Sequence, residues 1–366
     1  MIAEVKYATS LFISCVQRAA LIPVHSSSLA NSRRSMVTVA LAGAASGFGM
    51  TMLRTFLHLN SKSTTRHRFV LLSRSNKPEL AALGIEVRPV DYANHAQLVA
   101  ALGDVHTVLS VIGGSVEAMG VAQLALLAAA KEAGVKRFAP SEYAGISNDT
   151  IDLYHGKVEV WTAAKAVAQE TGMGITSFQC GIFMSTFATG TTKPVTEVGK
   201  REGAKNGEEE ALAGLRPWNF VVNMRAGTAD LPGDGTAPIV FTEMRDIATF
   251  VYNALSLEQW QEVMGMGGDV KSYRDMLSII ERVQGRGFLV KENSVDEMKA
   301  QAAGDPGKTF YNQVRIALAE GWGEVPDTLN RAFPDVKPVT CVEFVEKRWQ
   351  GVEVGEASWG EDQSFM

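Results

Sequence analysis

The chain has 366 residues, of which 46% are hydrophobic and 20% charged, the composition of an ordinary globular protein. Its net charge of −5 argues against a nucleic-acid binder, because phosphate contacts need clustered lysine and arginine. No apolar run approaches the roughly 18 residues of a membrane span. The three cysteines are widely spaced and the histidines show no ligand spacing, so we expect a reducing compartment and no metal site.

Residues 1–35 precede the first predicted element and show no periodic pattern. They are rich in serine and arginine, which resembles a mitochondrial presequence, although Glu4 is unusual in such segments. Alternatively, Met36 is the natural start of the protein. We therefore expect a leader over 1–35, either without structure or used for targeting. The predicted location is cytoplasmic, or mitochondrial if the leader is a presequence.

The segment after the leader has the pattern of a dinucleotide-binding site. Residues 37–41 form a short apolar run, typical of a buried strand, and glycines follow at Gly43, Gly47 and Gly49. Apolar residues then recur at helical spacing from Met50 onwards. A strand, a glycine turn and a helix N-terminus together bind a pyrophosphate. The predicted cofactor contacts here are Gly43, Ala45, Ser46, Gly47, Phe48 and Gly49.

Strand and helix patterns then alternate regularly. Further strands are predicted at 69–74, 85–91, 105–112, 135–139 and 175–179, with helices between them. Such alternation with short connections predicts an α/β fold, a Rossmann-type doubly wound parallel sheet with helices on both faces. Ligands bind such sheets beyond the carboxyl ends of the strands. We therefore expect a crevice lined by Gly43–Gly49, Arg74, Asp91, Ser110–Gly114 and Pro140–Tyr143.

The second half of the chain is predicted to form a smaller C-terminal α/β lobe that binds substrate. Three helices there should begin with capping boxes at Ser272, Ser294 and Thr340, because a carboxylate follows each hydroxyl by three residues. We assign the leader to 1–35, the NAD(P)-binding domain to 36–188, the substrate lobe to 189–350 and an acidic tail without fixed structure to 351–366. Within the lobe, the polar excursion 190–217 is either a mobile lid or, as we favour, a solvated insertion.

The end of the second strand indicates which cofactor is bound. NAD sites place a carboxylate there for the ribose hydroxyl, whereas an arginine accommodates a 2′-phosphate. Arg74 occupies this position, and Lys77 is close by. We therefore predict NADP(H). Ser110 and Ile112, at the end of the fourth strand, complete the predicted cofactor contacts together with Lys157.

Several motifs together resemble one family. They are the glycine turn, Ser73-Arg74, and the segments 135–143, 155–160 and 178–183, with a further similar segment at 233–248. The chain resembles the NmrA-like/isoflavone reductase-like group of atypical short-chain dehydrogenase/reductases over about residues 37–350. The resemblance implies an NADPH-dependent oxidoreductase that transfers hydride to a small hydrophobic or aromatic carbonyl or conjugated substrate. It leaves one alternative open, because NmrA-like proteins include regulators that bind NAD(P) without turnover.

Lys157 is the predicted catalytic residue. The resemblance implies this, because Lys157 matches the family lysine that reaches the nicotinamide, although Trp161 stands where the family often has an arginine. Tyr154 precedes Lys157 by three residues, which does not match the Tyr-x-x-x-Lys spacing of the wider superfamily. A cation in the first turn of a helix is also unfavourable without a specific reason. The predicted substrate pocket comprises Tyr143, Phe183, Met184, Phe187 and Trp218.

The expected partner is a small-molecule substrate, with no nucleic acid and no membrane. We expect a monomer or a homodimer.

Overall fold

The computed structural model describes residues 36–115, 118–145, 148–195 and 203–360. They belong to a compact unit that begins at Met36. The predicted leader over 1–35, with its targeting alternative, lies outside the described residues, as do the last six residues of the predicted tail. No helix in the described part of the chain combines the length and apolar character needed to cross a membrane.

Six parallel strands form the central sheet. They are β1 (Thr38–Ala42), β2 (Arg68–Ser73), β3 (Glu86–Pro89), β4 (Thr107–Ser110), β5 (Arg137–Ala139) and β6 (Gly174–Ile175). Their order is β3-β2-β1-β4-β5-β6. In β1, Val39 pairs with Phe69 of β2 on one side and with Thr107 of β4 on the other. This is the strand order of a dinucleotide-binding sheet, whose direction of winding reverses between β1 and β4. The predicted doubly wound fold is confirmed.

Twelve α-helices occur among the described residues. They are α1 (Gly47–Lys62), α2 (Pro78–Ala81), α3 (His95–Leu102), α4 (Gln123–Glu132), α5 (His155–Thr171), α6 (Gly207–Leu212), α7 (Met244–Ala254), α8 (Tyr273–Gln284), α9 (Val295–Gly304), α10 (Thr309–Ala319), α11 (Thr328–Ala332) and α12 (Cys341–Trp349). A π-helical turn, Ala118–Ala122, leads into α4. The capping boxes predicted at Ser272, Ser294 and Thr340 are all present.

Alternate residues of β1 bury their side chains in two different apolar layers. Val39 and Leu41 belong to the layer that contains buried residues of α1 and α7. Ala40 and Ala42 belong to the opposite layer, with residues of α3, α4 and α5. Successive side chains of a strand point to opposite faces, so a strand covered on both faces must be apolar throughout. The apolar residues from Val39 to Ala42 are explained by this double burial.

The remaining strands lie outside the central sheet. They are β7 (Ser177–Gln179), β8 (Ile182–Phe183), β9 (Val222–Asn223), β10 (Thr228–Pro232), β11 (Ile239–Thr242), β12 (Val263–Gly265), β13 (Asp269–Lys271) and β14 (Leu289–Asn293). They form sheets in the orders β14-β10-β9, β13-β11-β8 and β12-β7. A third apolar cluster contains residues of β10, β11, α8, α10 and α12, and it forms the core of the C-terminal lobe.

The structure differs from the sequence-based expectations in three places. The strand predicted at 175–179 is divided, since β6 ends at Ile175 and β7 pairs with β12 instead. The polar excursion contains the helix α6, with Asn206 as its N-cap. The first part of the predicted tail lies against the lobe, because Val352 and Val354 pack on the lobe core. Helix α6 and these two valines are therefore packed parts of segments whose composition suggested exposure to solvent.

Candidate active site

A cleft of about 1010 Å³ runs along the carboxyl ends of the central strands. It is lined by residues that follow β1, β2, β4 and β5 and by the start of α5. The predicted contacts that line it are Gly43, Ala45, Ser46, Gly47, Phe48, Gly49, Arg74, Lys77, Ile112 and Lys157. Asp91 is not among the lining residues, but its neighbour Tyr92 is. The fold therefore brings most of the predicted site together in one cleft.

The glycine turn requires glycine for steric reasons at two positions. Gly43 has φ +85°, and a Cβ there would lie 2.8 Å from the backbone nitrogen of Ile112. A Cβ at Gly49 would lie 2.6 Å from the Cα of Ala44. The turn therefore holds β1, β4 and α1 closer together than side chains would allow. The start of α1 is left facing the cleft, where its free N–H groups can bind an anion.

The end of β2 carries the positive charge expected beside an adenosine 2′-phosphate. Arg74 is exposed and Lys77 is partly exposed, and both line the cleft. Tyr92 lines the same part of the cleft and was missed in the sequence. Burial raises the pKa of Tyr92 to about 12, although Arg74 acts in the opposite direction. Tyr92 is therefore a neutral phenol that can pack against a bound cofactor.

Ser110 is a correction to the predicted cofactor contacts. Its side chain is fully buried within β4 and does not line the cleft. The next residues along the chain, from Val111 to Ser115, line the cleft instead. Ser110 is the last residue of β4 and is enclosed by the fold, whereas the residues that follow the strand reach the cleft.

Lys157 lies in the first turn of α5 and is almost completely buried, with 7% of its surface exposed. Its Nζ donates a hydrogen bond of 2.8 Å to the backbone oxygen of Glu142. The same Nζ lies 4.7 Å from the centre of the Tyr154 ring, a cation–π contact. Burial lowers the pKa of Lys157, and the nearby Glu142 carboxylate opposes that shift. Such an ammonium gives up its proton more readily than a solvated lysine does.

Glu142 is the buried acid beside Lys157. Its carboxylate accepts a hydrogen bond of 2.8 Å from Asn148, and its other oxygen has no partner among the described residues. Burial raises the pKa of Glu142, while Lys157 and Asn148 act against that shift. Glu142 belongs to the Pro-Ser-Glu-Tyr segment, but its pairing with Lys157 was not predicted. The two residues form one buried electrostatic unit at the end of β5.

A second cavity of about 230 Å³ adjoins the cleft and is mostly apolar. Tyr143 and Phe183 line both cavities. Trp218 and Phe310, which are stacked with ring centres 5.9 Å apart, form part of the wall. Tyr154 lines this pocket as well. Lys157 lines the cleft and contacts the Tyr154 ring, so it lies where the cleft and the pocket adjoin. The predicted pocket positions of Tyr143, Phe183 and Trp218 agree with this geometry.

Met184 and Phe187 are corrections to the predicted pocket, because both are core residues. Met184 is fully buried and Phe187 is 1% exposed, and neither lines the cleft or the pocket. The Phe187 ring packs against Phe241 of β11 at 5.4 Å. An apolar residue near a binding site suits a core and a pocket equally well, so the sequence does not separate the two cases.

The excursion contributes residues to the site that the sequence did not reveal. Leu215 and Arg216, which follow α6, line both the cleft and the pocket. A Cβ at Gly47 would lie 3.1 Å from the Leu215 side chain, so this segment contacts the glycine turn. Helix α6 is fixed by Glu210, which is 2% exposed and forms ion pairs with Arg245 and Arg348. The end of the excursion, from Leu212 to Arg216, therefore forms a wall of the site.

Comparisons with known proteins agree with this architecture. The model of the NmrA-like family matches residues 37–303. An oxidoreductase named BOA1, from Botryotinia fuckeliana (strain B05.10), is 28% identical over 321 residues, covering 83% of this chain and 96% of the relative. The solved structure of AtPrR2 with NADP+ and (+)pinoresinol aligns with a TM-score of 0.64 at 19% identity, covering 86% of this chain and 99% of that one.

An isoflavone reductase structure aligns with the same TM-score of 0.64 at 16% identity, over 86% of this chain and 99% of that one. At these identities the two structures establish a shared fold. The family model, by contrast, covers well over half of the chain, and it overlaps the motifs that suggested the same group. The chain therefore belongs to the NmrA-like family.

Proposed function

We propose that this chain is an NADP(H)-dependent oxidoreductase that reduces a small hydrophobic carbonyl or conjugated substrate. The chain is similar along most of its length to a protein named an oxidoreductase, and it shares its fold with a protein solved with NADP+. The observation that carries the proposal is the position of Lys157, a buried ammonium where the cleft meets an apolar pocket.

The cleft fits the cofactor by shape and by charge. The glycine turn is a cradle that any Cβ at Gly43 or Gly49 would fill, and it leads into a helix N-terminus suited to a pyrophosphate. Arg74 and Lys77 would hold a 2′-phosphate. When bound, NADPH supplies a hydride to the substrate.

Lys157 would supply the proton that completes the reduction. As a carbonyl or an enone accepts a hydride, negative charge develops on its oxygen, and a donor is needed there. An ammonium has three N–H donors, and one of those on Lys157 is bonded to Glu142. The others can bond to the substrate oxygen and transfer a proton to it. Burial strengthens this interaction because water does not compete for the donor.

The test is NADPH oxidation by the full-length protein with a panel of hydrophobic aldehydes, ketones and enones. We expect turnover of at least one class with NADPH, and weaker turnover with NADH. A protein that binds NADPH tightly but oxidises it with no member of the panel would instead support the alternative, a cofactor-sensing regulator. The predicted monomer or homodimer, and the predicted cytoplasmic location, stay predictions that sedimentation and fractionation would test.

A further inference from the structure

A single charged residue stands in the wall of the apolar pocket. Of the described residues that line this pocket, only Arg216 carries a charge, and no acidic side chain is among them. Arg216 also lines the cleft, so it lies on the side of the pocket where reduction would occur. The pocket therefore offers a positive charge with no negative side chain to balance it. This charge should influence which substrates the pocket binds.

Arg216 is not used by the rest of the fold. It is exposed, and it makes no hydrogen bond or ion pair with any residue that the structure describes. The other arginines of this region differ, because Arg245 and Arg348 are both paired with Glu210. Those two arginines hold α6 in place, and Arg216 follows α6 by four residues. The unpaired guanidinium is therefore carried on a fixed segment.

A neutral ligand in this pocket would leave Arg216 partly desolvated without a negatively charged partner. The neighbouring walls include Leu215, Phe183 and Trp218, which offer no acceptor side chain. Covering a charged group without pairing it is costly, whereas a carboxylate forms a bidentate, charge-assisted pair with a guanidinium. The pocket therefore favours an apolar molecule that carries an anion over an otherwise identical neutral one.

The cofactor does not require Arg216. The glycine turn and the N-terminus of α1 would hold its pyrophosphate, and Arg74 and Lys77 would hold its 2′-phosphate. Arg216 is the cation that reaches the substrate pocket as well as the cleft. We infer that the substrate is an apolar carbonyl or conjugated compound bearing a carboxylate close to the reducible bond, and that Arg216 pairs with this carboxylate. This inference rests on the proposed function.

The experiment compares acids with their own methyl esters. A set of aryl and alkyl 2-oxo acids and their esters is tested with the wild type, Arg216→Gln and Arg66→Gln. Arg66 is an exposed arginine just before β2, at the opposite end of the strands, so it controls for the loss of one positive charge. One charge-assisted bond predicts that wild-type kcat/KM favours the acid by roughly 10- to 150-fold. Arg216→Gln should bring the ratio close to one, while Arg66→Gln leaves it unchanged.

Binding measurements separate this inference from the proposed function. Calorimetric titration of the acids and esters into the protein with NADP+ reports the anion preference without turnover. If the protein binds acids through Arg216 but reduces none of the compounds, the inferred anion site stands and the proposed reductase function is wrong. Reduction of ketones and esters with no acid preference would retain the reductase and overturn the anion site. Two further results would also overturn the anion site. In the first, no acid binds the wild type more tightly than its ester does. In the second, Arg216→Gln weakens the binding of acids and esters by the same factor and also weakens NADPH binding.

Discussion

Replacement of Lys157 by methionine tests the chemical step directly. Methionine keeps most of the length of the side chain but removes its N–H donors. A positioned general acid is worth about 10²- to 10⁴-fold in rate, which corresponds to about 3 to 5 kcal/mol of transition-state stabilisation. We expect Lys157→Met to lower the rate of hydride transfer by that factor. NADPH should still bind, because the glycine turn and Arg74 line the cleft and would hold the phosphates.

The same substitution has a calculable cost in stability. The Glu142 backbone oxygen loses the donor that lies 2.8 Å away, and an unpaired buried acceptor costs about 1–3 kcal/mol. Part of that loss is offset because a buried ammonium no longer has to be desolvated. The variant should therefore fold, with a lower melting temperature. A large fall in rate combined with a small fall in stability would mark Lys157 as chemically active.

The assay is single-turnover loss of NADPH absorbance, with NADPH affinity measured in parallel. Lys165→Met is a matched control, because Lys165 lies two turns further along α5 and does not line the cleft. Lys157→Arg should recover little, since a guanidinium stays protonated. Wild-type rates in Lys157→Met would refute the role. Tyr143 or Tyr154 would then be the candidate acid, and burial raises the pKa of both phenols.

Four further predictions concern pH, the cofactor and the fold. Because burial lowers the pKa of Lys157, the rate of wild-type reduction should fall with rising pH at a lower pH than that at which an ordinary lysine loses its proton. The pH–rate profile of Lys157→Met should lack this decline. Arg74→Glu should weaken NADPH binding by roughly 10- to 150-fold with little loss for NADH in parallel titrations. Gly43→Ala, at φ +85°, should weaken binding of both cofactors and cost about 1–3 kcal/mol in urea unfolding. Glu210→Gln should destabilise by about 3–5 kcal/mol, because it leaves two arginines without their carboxylate.

The Glu210 effect should depend on pH with a defined sign. Burial alone would raise the pKa of Glu210, but Arg348 and Arg245 lower it overall. A carboxyl group with a lowered pKa in the folded state stabilises the fold above its unfolded pKa. That contribution is lost as the pH falls through the folded pKa. The difference in stability between the wild type and Glu210→Gln should therefore shrink in acid; a constant difference would contradict the ion-pair account.

Local sequence signals were sufficient to predict the nucleotide-binding half. Strands β1 and β2 are short runs of mostly apolar residues, and the glycine turn has steric requirements that only glycine meets, so both are visible without knowledge of the fold. Ser110, Met184 and Phe187, which the sequence suggested as contacts, are buried and line neither the cleft nor the pocket. Whether one side chain faces the core or a cavity depends on its packing partners. The partner of Phe187 is Phe241, which is 54 residues further along the chain.

The burial of α6 within the polar excursion could not be predicted for a different physical reason. Composition describes the average environment of a segment, and a run rich in glutamate reads as a solvated face. Glu210 is buried because Arg245 and Arg348, 35 and 138 residues further along the chain, supply its counter-charges. A pairing over such a separation leaves no local pattern in the sequence. Once the pairing places α6, Leu215 and Arg216 follow as walls of the site.

The setting of Lys157 shows how the predicted and unpredicted parts depend on each other. Tyr154 precedes Lys157 by three residues, one fewer than in a Tyr-x-x-x-Lys pair, and it lies just before α5 with its ring facing the ammonium. An aromatic face and the Glu142 carboxylate both favour the charged lysine, whereas burial disfavours it. As a result of these opposing effects, the Lys157 ammonium gives up its proton more readily than a solvated lysine does. In the reaction that we propose, this is the proton that Lys157 would transfer to the substrate oxygen.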